Sequence, residues 1–199
     1  ETVADFRIIE VIPQLIIMIG GTFSSIFLPK TAEIIVKNNQ YEISKFATKW
    51  TSLTTIIVST MCFPCMLSSN ELLSAYVGSS YIHLSGWLAL WCFIVLIQMH
   101  ATPCFSLLLV RGATKLLVIV TATSCVISII INALLCYKYN MGSAIIGYSF
   151  HVIFLMSIYY IFLYKKYLGI SKRSILFSFV KPLFAGSVIY ILLYYLPLN

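Results

Sequence analysis

Charged residues are scarce in this chain, and their scarcity excludes a water-soluble domain. They make up 10% of its 199 residues, while 60% of the residues are hydrophobic. Ordinary soluble domains carry about 25% charged residues. The mean hydropathy is +0.97, so a soluble fold would have too few polar side chains to cover its surface. Segments of alternating polarity, which are typical of membrane β-barrels, are also missing from the sequence.

Carboxylates are missing from the middle of every apolar run. The chain has 6 acidic residues in all; Glu10 lies near the outer end of the first run, and Glu71 lies outside the runs. Acid–base catalysis by paired carboxylates therefore has no candidates, and we expect no enzyme activity, no catalytic residue and no cofactor. His83, His100 and His151 show neither the H-x-x-x-H nor the H-E-x-x-H spacing, so we expect no metal site.

The sequence does contain six nearly unbroken apolar runs. The longest have 22 residues, about 33 Å as a helix, which is enough to cross a hydrocarbon core of about 30 Å. Backbone groups in lipid must pair within their own segment, so such runs are helices. The sequence predicts an all-α, polytopic membrane protein with one transmembrane domain over residues 1–199. The predicted spans are Ile8–Leu28, Thr51–Leu67, Leu84–Thr102, Leu116–Tyr137, Ser143–Tyr164 and Ile175–Leu196.

The cations fall into alternate gaps between these runs. Of the 13 Lys and Arg residues, all but Arg7 and Lys138 lie in or beside the first, third and fifth gaps. Because Lys and Arg are retained in the cytoplasm during insertion, these gaps are predicted to be cytoplasmic and both chain ends to face outward. This sorting explains the net charge of +7 without a nucleic-acid partner. The cytoplasmic set is Lys30, Lys37, Lys45, Lys49, Arg111, Lys115, Lys165, Lys166, Lys172, Arg173 and Lys181.

The first run combines a weakened backbone with polar side chains. Pro13 removes a backbone donor, and the pair Gly20-Gly21 permits either close helix packing or a bend that moves during function. Pro29 is predicted to end this helix, and Lys30–Lys49 is predicted to form a long polar connection in the cytoplasm. The polar side chains of the run, which lipid disfavours, are Gln14, Thr22 and Ser25.

Polar residues in the other runs have two interpretations. Each can form a hydrogen bond across a helix interface, worth roughly 0.6–1.7 kcal/mol, or line a functional cavity; we expect the interface role. These residues are Gln98, His100, Asn132 and His151.

The motif Cys62-Phe-Pro-Cys65 also has two interpretations. It can be a redox pair, as in a quinone-linked thiol oxidase, or two small packing residues. We expect packing.

Several stretches resemble a known transporter family. They are the run ending in Leu-Pro29, the segment Leu72–Tyr81 (LLSAYVGSSY), Arg111–Lys115 (RGATK), and a span with Asn132 followed by Tyr139–Gly147 (YNMGSAIIG). In this order they are similar to the second half of the polysaccharide and O-antigen flippases of the multidrug/oligosaccharidyl-lipid/polysaccharide superfamily, whose fold is MATE-like. Asn140 stands where that family usually has a glycine.

The resemblance implies a function. A chain of this family flips a polyprenyl-linked glycan across the bacterial cytoplasmic (inner) membrane by alternating access, driven by a coupling ion; another MATE-like exporter of small molecules or drugs is the alternative. The opening helices of each half line the central cavity in this family. By that likeness Arg7, Gln14, Thr22 and Ser25 are expected to face the cargo, with Arg7 suited to a pyrophosphate or acidic sugar.

The orientation of the first span agrees with this family. It runs inward and would be the second helix of a half, so we expect a further helix before Glu1 and a missing N-terminal lobe in the same chain.

Overall fold

Six helical segments are long and apolar enough to cross a membrane, which confirms the predicted all-α polytopic fold. The structure is a computed structural model that describes residues 2–195, without the side chains of residues 2, 23, 24 and 193–195. Within that range the chain forms helices and turns and no strand. The predicted end of the last span, Leu196, lies outside the described residues.

The described residues form eight α-helices, a 3₁₀-helix and a π-helix. In chain order they are α1 (Thr2–Val36), α2 (Gln40–Leu67), α3 (Ser69–Val77), the 3₁₀-helix Ser79–Leu84, α4 (Ser85–Met99), α5 (Thr102–Val110), α6 (Thr114–Tyr139), α7 (Gly142–Ile158), the π-helix Tyr159–Leu168 and α8 (Lys172–Tyr195).

Helix α1 does not end at Pro29, so that prediction was wrong. Both Pro13 and Pro29 lie inside the helix, which continues to Val36. Proline removes one backbone hydrogen bond and crowds the preceding turn, but tertiary packing overrides this cost here. Phe27, two residues before Pro29, packs against Trp50 of α2 with ring centroids 5.0 Å apart, and Thr31 and Ile34 after the proline are 0% and 6% exposed.

The predicted long polar connection after α1 is also wrong. Only three residues, 37–39, separate α1 from α2. The Asn39 side chain accepts hydrogen bonds from the first backbone amides of α2 and so supplies the cap that a helix start needs. Lys37 pairs with Glu33 at 2.8 Å, and this hydrogen bond raises the pKa of the lysine above its ordinary value. The polar residues of this region therefore belong to the end of α1 and the start of α2, which project beyond the apolar part of the bundle.

The third span is a broken helix. It runs from Ser79 to Val110, with α4 ending at Met99 and α5 beginning at Thr102. Pro103 sits in the first turn of α5, where its missing N–H is tolerated, and its ring is incompatible with a helical bond to Met99 four residues earlier. The two-residue break therefore follows from Pro103. The span continues past this proline to Val110, beyond the predicted end at Thr102.

The buried core has two parts, one at each end of the bundle. The part near the predicted cytoplasmic end includes Phe46, Leu107 and Leu163. The other includes Ile9, Leu88 and Ile145. Helix α4 contacts α1, α2 and α7, so it is a central element of the packing.

The charge distribution predicts that Ser79 is outside the cell and Tyr41 inside. Both residues are exposed. In a background without native cysteines, Ser79→Cys is expected to react with a membrane-impermeant thiol reagent in intact cells, and Tyr41→Cys only after lysis. Asn39 is left intact because it caps α2. Labelling at 41 alone in intact cells would reverse the orientation.

Candidate functional site

One face of α1 is exposed along its length and carries the polar residues singled out from the sequence. At 100° per residue, Arg7, Gln14, Thr22 and Ser25 fall within a sector of about 80°. All four are exposed. We call these four side chains the polar face of α1. In a membrane an uncovered helix face meets either lipid or another part of a protein, and polar groups disfavour lipid.

The four side chains differ in how their hydrogen-bonding groups are used. Arg7 pairs with Glu10 at 2.8 Å, and the Arg7 side chain is 74% exposed. Thr22 Oγ1 donates to the Met18 carbonyl at 3.1 Å, and Ser25 Oγ donates to the Thr22 carbonyl at 2.9 Å. Such back-bonding lowers the cost of a hydroxyl in lipid. Gln14 forms no comparable bond within the described residues, so its amide is the strongest indication that this face meets polar groups.

Pro13 and the glycine pair of α1 were expected to act in packing or as a hinge. Pro13 is buried inside a continuous helix. A Cβ atom on Gly20 would lie 2.5 Å from Met99 Sδ of α4, whereas one on Gly21 would meet nothing within 4 Å. Gly20 therefore lets α1 approach α4 closely, as small residues do in membrane helix pairs. Gly21 has no such packing role and remains available to a hinge.

A cavity of about 300 Å³ lies beside Gly21, where the two core parts meet. Its walls come from α1, α4, α5, α6, α7 and the start of the π-helix. Most of the lining is apolar. The polar side chains that line it are Gln98, Thr102, Thr121, His151 and Tyr159. We call this space the central cavity; an apolar pocket with a few polar groups is the usual form of a small-molecule site.

Hydrogen bonds between helices hold two of the polar residues that line the central cavity. The Tyr148 hydroxyl donates to Gln98 Oε1, which joins α7 to α4. His151 Nδ1 lies 2.8 Å from Ser124 Oγ of α6, and that hydroxyl donates its only hydrogen to the Thr121 carbonyl. Cys125 Sγ lies 3.9 Å from the same Nδ1, so Ser124 and Cys125 of α6 both meet the His151 ring.

The expected interface role of the intramembrane polar residues is confirmed. Gln98 and His151 form the interhelical bonds given above. Asn132 of α6 accepts a hydrogen bond from Ser143 of α7 at 2.6 Å. His100 Nε2 lies 2.7 Å from the Tyr160 hydroxyl. The structure adds that Gln98 and His151 also line the central cavity, so the two roles coincide.

Tyr148 and Tyr159 belong to this region and were not among the residues predicted from the sequence. Both lie within an apolar run rather than at its end, where most tyrosines of the chain gather. A tyrosine placed deep in a span needs a partner for its hydroxyl. The depth of these two tyrosines in the apolar run could therefore have marked them as candidates. Thr102 and Thr121 gave no comparable signal because threonine bonds easily to its own helix.

The cysteines of α2 fit a packing role better than a redox pair. Cys62 is 0% exposed, and Cys65 is partly buried against the same core part. All six cysteines are free thiols. Cys62 thus behaves as the small apolar residue that buried cysteine usually is.

No protein-family model, curated protein or solved structure matches this chain. The flippase family therefore stays a prediction from the sequence motifs.

Proposed function

We propose that this chain forms the C-terminal lobe of a carrier that moves a lipid-linked oligosaccharide across the bacterial cytoplasmic membrane. The observation that carries the proposal is the polar face of α1. The other five spans leave this face uncovered, and a second lobe of the same chain would cover it. A path between two lobes gives polar side chains an aqueous environment in which they carry no lipid penalty.

The chemistry of this face suits a phosphorylated glycan. Arg7 lies at the predicted outer end, and guanidinium binds phosphate oxygens in pairs. Its ion pair with Glu10 is exposed, and such pairs contribute only about 0–1 kcal/mol, so a ligand phosphate can replace the carboxylate. The amide of Gln14, two turns further along α1, can both donate to and accept from sugar hydroxyls.

The glycine pair Gly20-Gly21 of α1 supports alternating access. Gly20 packs against Met99, while Gly21 has open space beside the central cavity. A helix fixed at one glycine and free at the next can bend without breaking its packing on α4. A bend at Gly21 would carry Arg7 and Gln14 together with α4, which packs on the same α1 segment through Trp91 and Met99, with a coupling ion as the driving force.

Substitutions on the polar face test this function. In full-length protein, Arg7→Ala is expected to lower glycan transport about tenfold or more, since a hydrogen bond to a charged group contributes about 1.5–3 kcal/mol. Gln14→Leu should also reduce transport. The measurement is surface glycan in cells that depend on this gene, with protein level and membrane insertion followed in parallel.

Matched controls separate a transport role from a general effect of lost polarity. Lys138→Ala removes the other outer cation, and Thr123→Leu replaces an exposed polar residue of α6. Both are expected to leave surface glycan unchanged. Normal glycan in Arg7→Ala and Gln14→Leu cells would remove α1 from the transport path.

Export of a small molecule is the second candidate function. The central cavity, at about 300 Å³, is at the lower limit of drug-sized pockets and is too small for several sugar units. Under this alternative Gln98→Leu and His151→Leu, which change side chains that line the cavity, would alter accumulation of an amphipathic dye and leave surface glycan normal.

A further inference from the structure

Two adjoining cavities form one cleft between the π-helix and α8, at the predicted cytoplasmic end. Their volumes are about 520 and 590 Å³. Tyr160, Ile161, Lys172 and Arg173 line both, so the two spaces are continuous. We call the whole space the basic cleft.

The two ends of the basic cleft differ in polarity. Lys165 and Ser171 line the end at the turn, together with the shared Lys172 and Arg173. The other end extends between α7 and α8 and is lined mainly by apolar side chains. These are Ile97, Ile153, Met156 and Leu176. The cleft is thus cationic at the membrane surface and apolar within the membrane.

The cations of the cleft have no acidic partner. Ion pairs within the described residues involve Arg7, Lys30 and Lys37, not Lys165, Lys172 or Arg173. The sequence contains no Asp or Glu after Glu71, so the second half of the chain cannot neutralise its own cations. Within the described residues these cations are therefore open to an anion from outside them.

The π-helix gives the cleft its shape. It runs for 10 residues from Tyr159 to Leu168, an unusual length for a form that mostly occurs as single turns near functional sites. Two contacts fix its ends: the His100 bond to Tyr160 at the start, and a hydrogen bond from the Gln40 amide to the Leu168 carbonyl at the end. Gly169 then adopts φ +64, which turns the chain into α8.

We propose that the basic cleft binds one anionic phospholipid of the cytoplasmic leaflet. Its phosphate lies among Lys165, Lys172 and Arg173, and an acyl chain lies along the groove between Ile153 and Leu176. The apolar end argues for a lipid over a free phosphate, and the unpaired cations argue for an anionic headgroup over a zwitterionic one. This site shares no residue with the polar face of α1, so it is independent of the cargo.

Native mass spectrometry of the purified full-length protein tests the proposal. Phosphatidylglycerol is expected to bind in preference to phosphatidylcholine with the same acyl chains. Lys172→Gln combined with Arg173→Gln should weaken phosphatidylglycerol binding about 20- to 30-fold, or about fivefold per cation. The charge-preserving pair Lys172→Arg with Arg173→Lys should retain binding, which controls for misfolding.

Two further variants distinguish the cleft from diffuse charge and from a phosphate site. Lys166→Gln combined with Lys181→Gln removes two nearby cations that do not line the cleft, and it should change affinity much less. Ser157→Trp keeps every charge but fills the apolar groove, so it should also weaken lipid binding. Equal loss of lipid affinity in the Lys172/Arg173 and Lys166/Lys181 double variants would overturn the proposal. So would equal binding of phosphatidylglycerol and phosphatidylcholine. Unchanged binding in Ser157→Trp, together with competition by inorganic phosphate, would show a phosphate site instead of a lipid site.

Discussion

Replacing Gly147 with alanine is expected to lower the stability of the protein by about 1–3 kcal/mol, the usual cost of overpacking. A Cβ atom there would lie 2.7 Å from the backbone carbonyl oxygen of Ser128 and 3.2 Å from its Oγ. A backbone atom cannot rotate away as a side-chain end can. Helices α6 and α7 would have to separate, although they form the most extensive helix contact in the described chain.

Thermal unfolding in detergent measures this effect, with about 2–4 °C expected for each kcal/mol in a chain of this size. Gly86→Ala is the matched control, because a Cβ atom there meets nothing within 4 Å and alanine favours a helix by roughly 0.5–1 kcal/mol. It should be neutral or slightly stabilising. An unchanged unfolding temperature for Gly147→Ala would mean that the two helices are less close than the structure shows.

The same substitution is expected to disturb the central cavity. His151 lies one turn after Gly147 on α7 and bonds to Ser124 of α6, so separation of the two helices lengthens this bond. Asn132, whose side-chain oxygen accepts from Ser143, holds the outer end of the same hairpin. Close packing at one glycine therefore positions the polar groups of the cavity.

The spans could be predicted from the sequence because lipid leaves few alternatives. A long apolar run must be helical, and the runs that end at Leu67 and Tyr137 agree with α2 and α6 to within two residues at that end. Interhelical hydrogen bonds of Asn132 and His151 could also be expected, since a polar group in lipid needs a partner. Asn140 has φ +48 and ψ −123, outside the left-handed helical region that asparagine tolerates and in a conformation that glycine adopts more readily.

The corrections share one physical cause, which is packing between segments far apart in the sequence. Pro29 signals a helix end locally, yet α1 continues to Val36 with Ile34 packed in the core beyond the proline. The π-helix likewise depends on Gln40 and His100, both distant in sequence. The central cavity combines residues from six elements, and a single sequence without a known fold cannot place them together.

The polar face of α1 was predicted only in part. Arg7, Gln14, Thr22 and Ser25 were chosen for their polarity, and their common helix face follows from spacing. That the other spans leave this face uncovered is a property of the bundle, which the sequence does not reveal. Exposed residues of α6 and α8 are instead mostly apolar, such as Ile129 and Phe184, which are 67% and 69% exposed. The sector of α1 that holds these four residues also holds Val11 and Met18, which are 39% and 66% exposed, so it is a mixed face with polar groups among apolar ones.

Access of water to the polar face of α1 is the most direct test of the proposed transport path. Single cysteines at Gln14, Met18 and Ser25, in a full-length background without native cysteines, would be compared with cysteines at Ile129 and Phe184. A charged thiol reagent reacts with the thiolate, which forms in an aqueous path but not in the hydrocarbon core, where charge is costly. Met18 lies between Gln14 and Ser25 on the same exposed face.

If α1 lines the transport path, the charged reagent labels the three α1 positions in membranes. Positions 129 and 184 then react only after solubilisation in denaturant. Cargo-mimicking glycan phosphate should slow labelling at position 14. If positions 14, 18 and 25 resist the reagent as strongly as positions 129 and 184 do, then the polar face of α1 meets lipid, and the proposed transport path is contradicted.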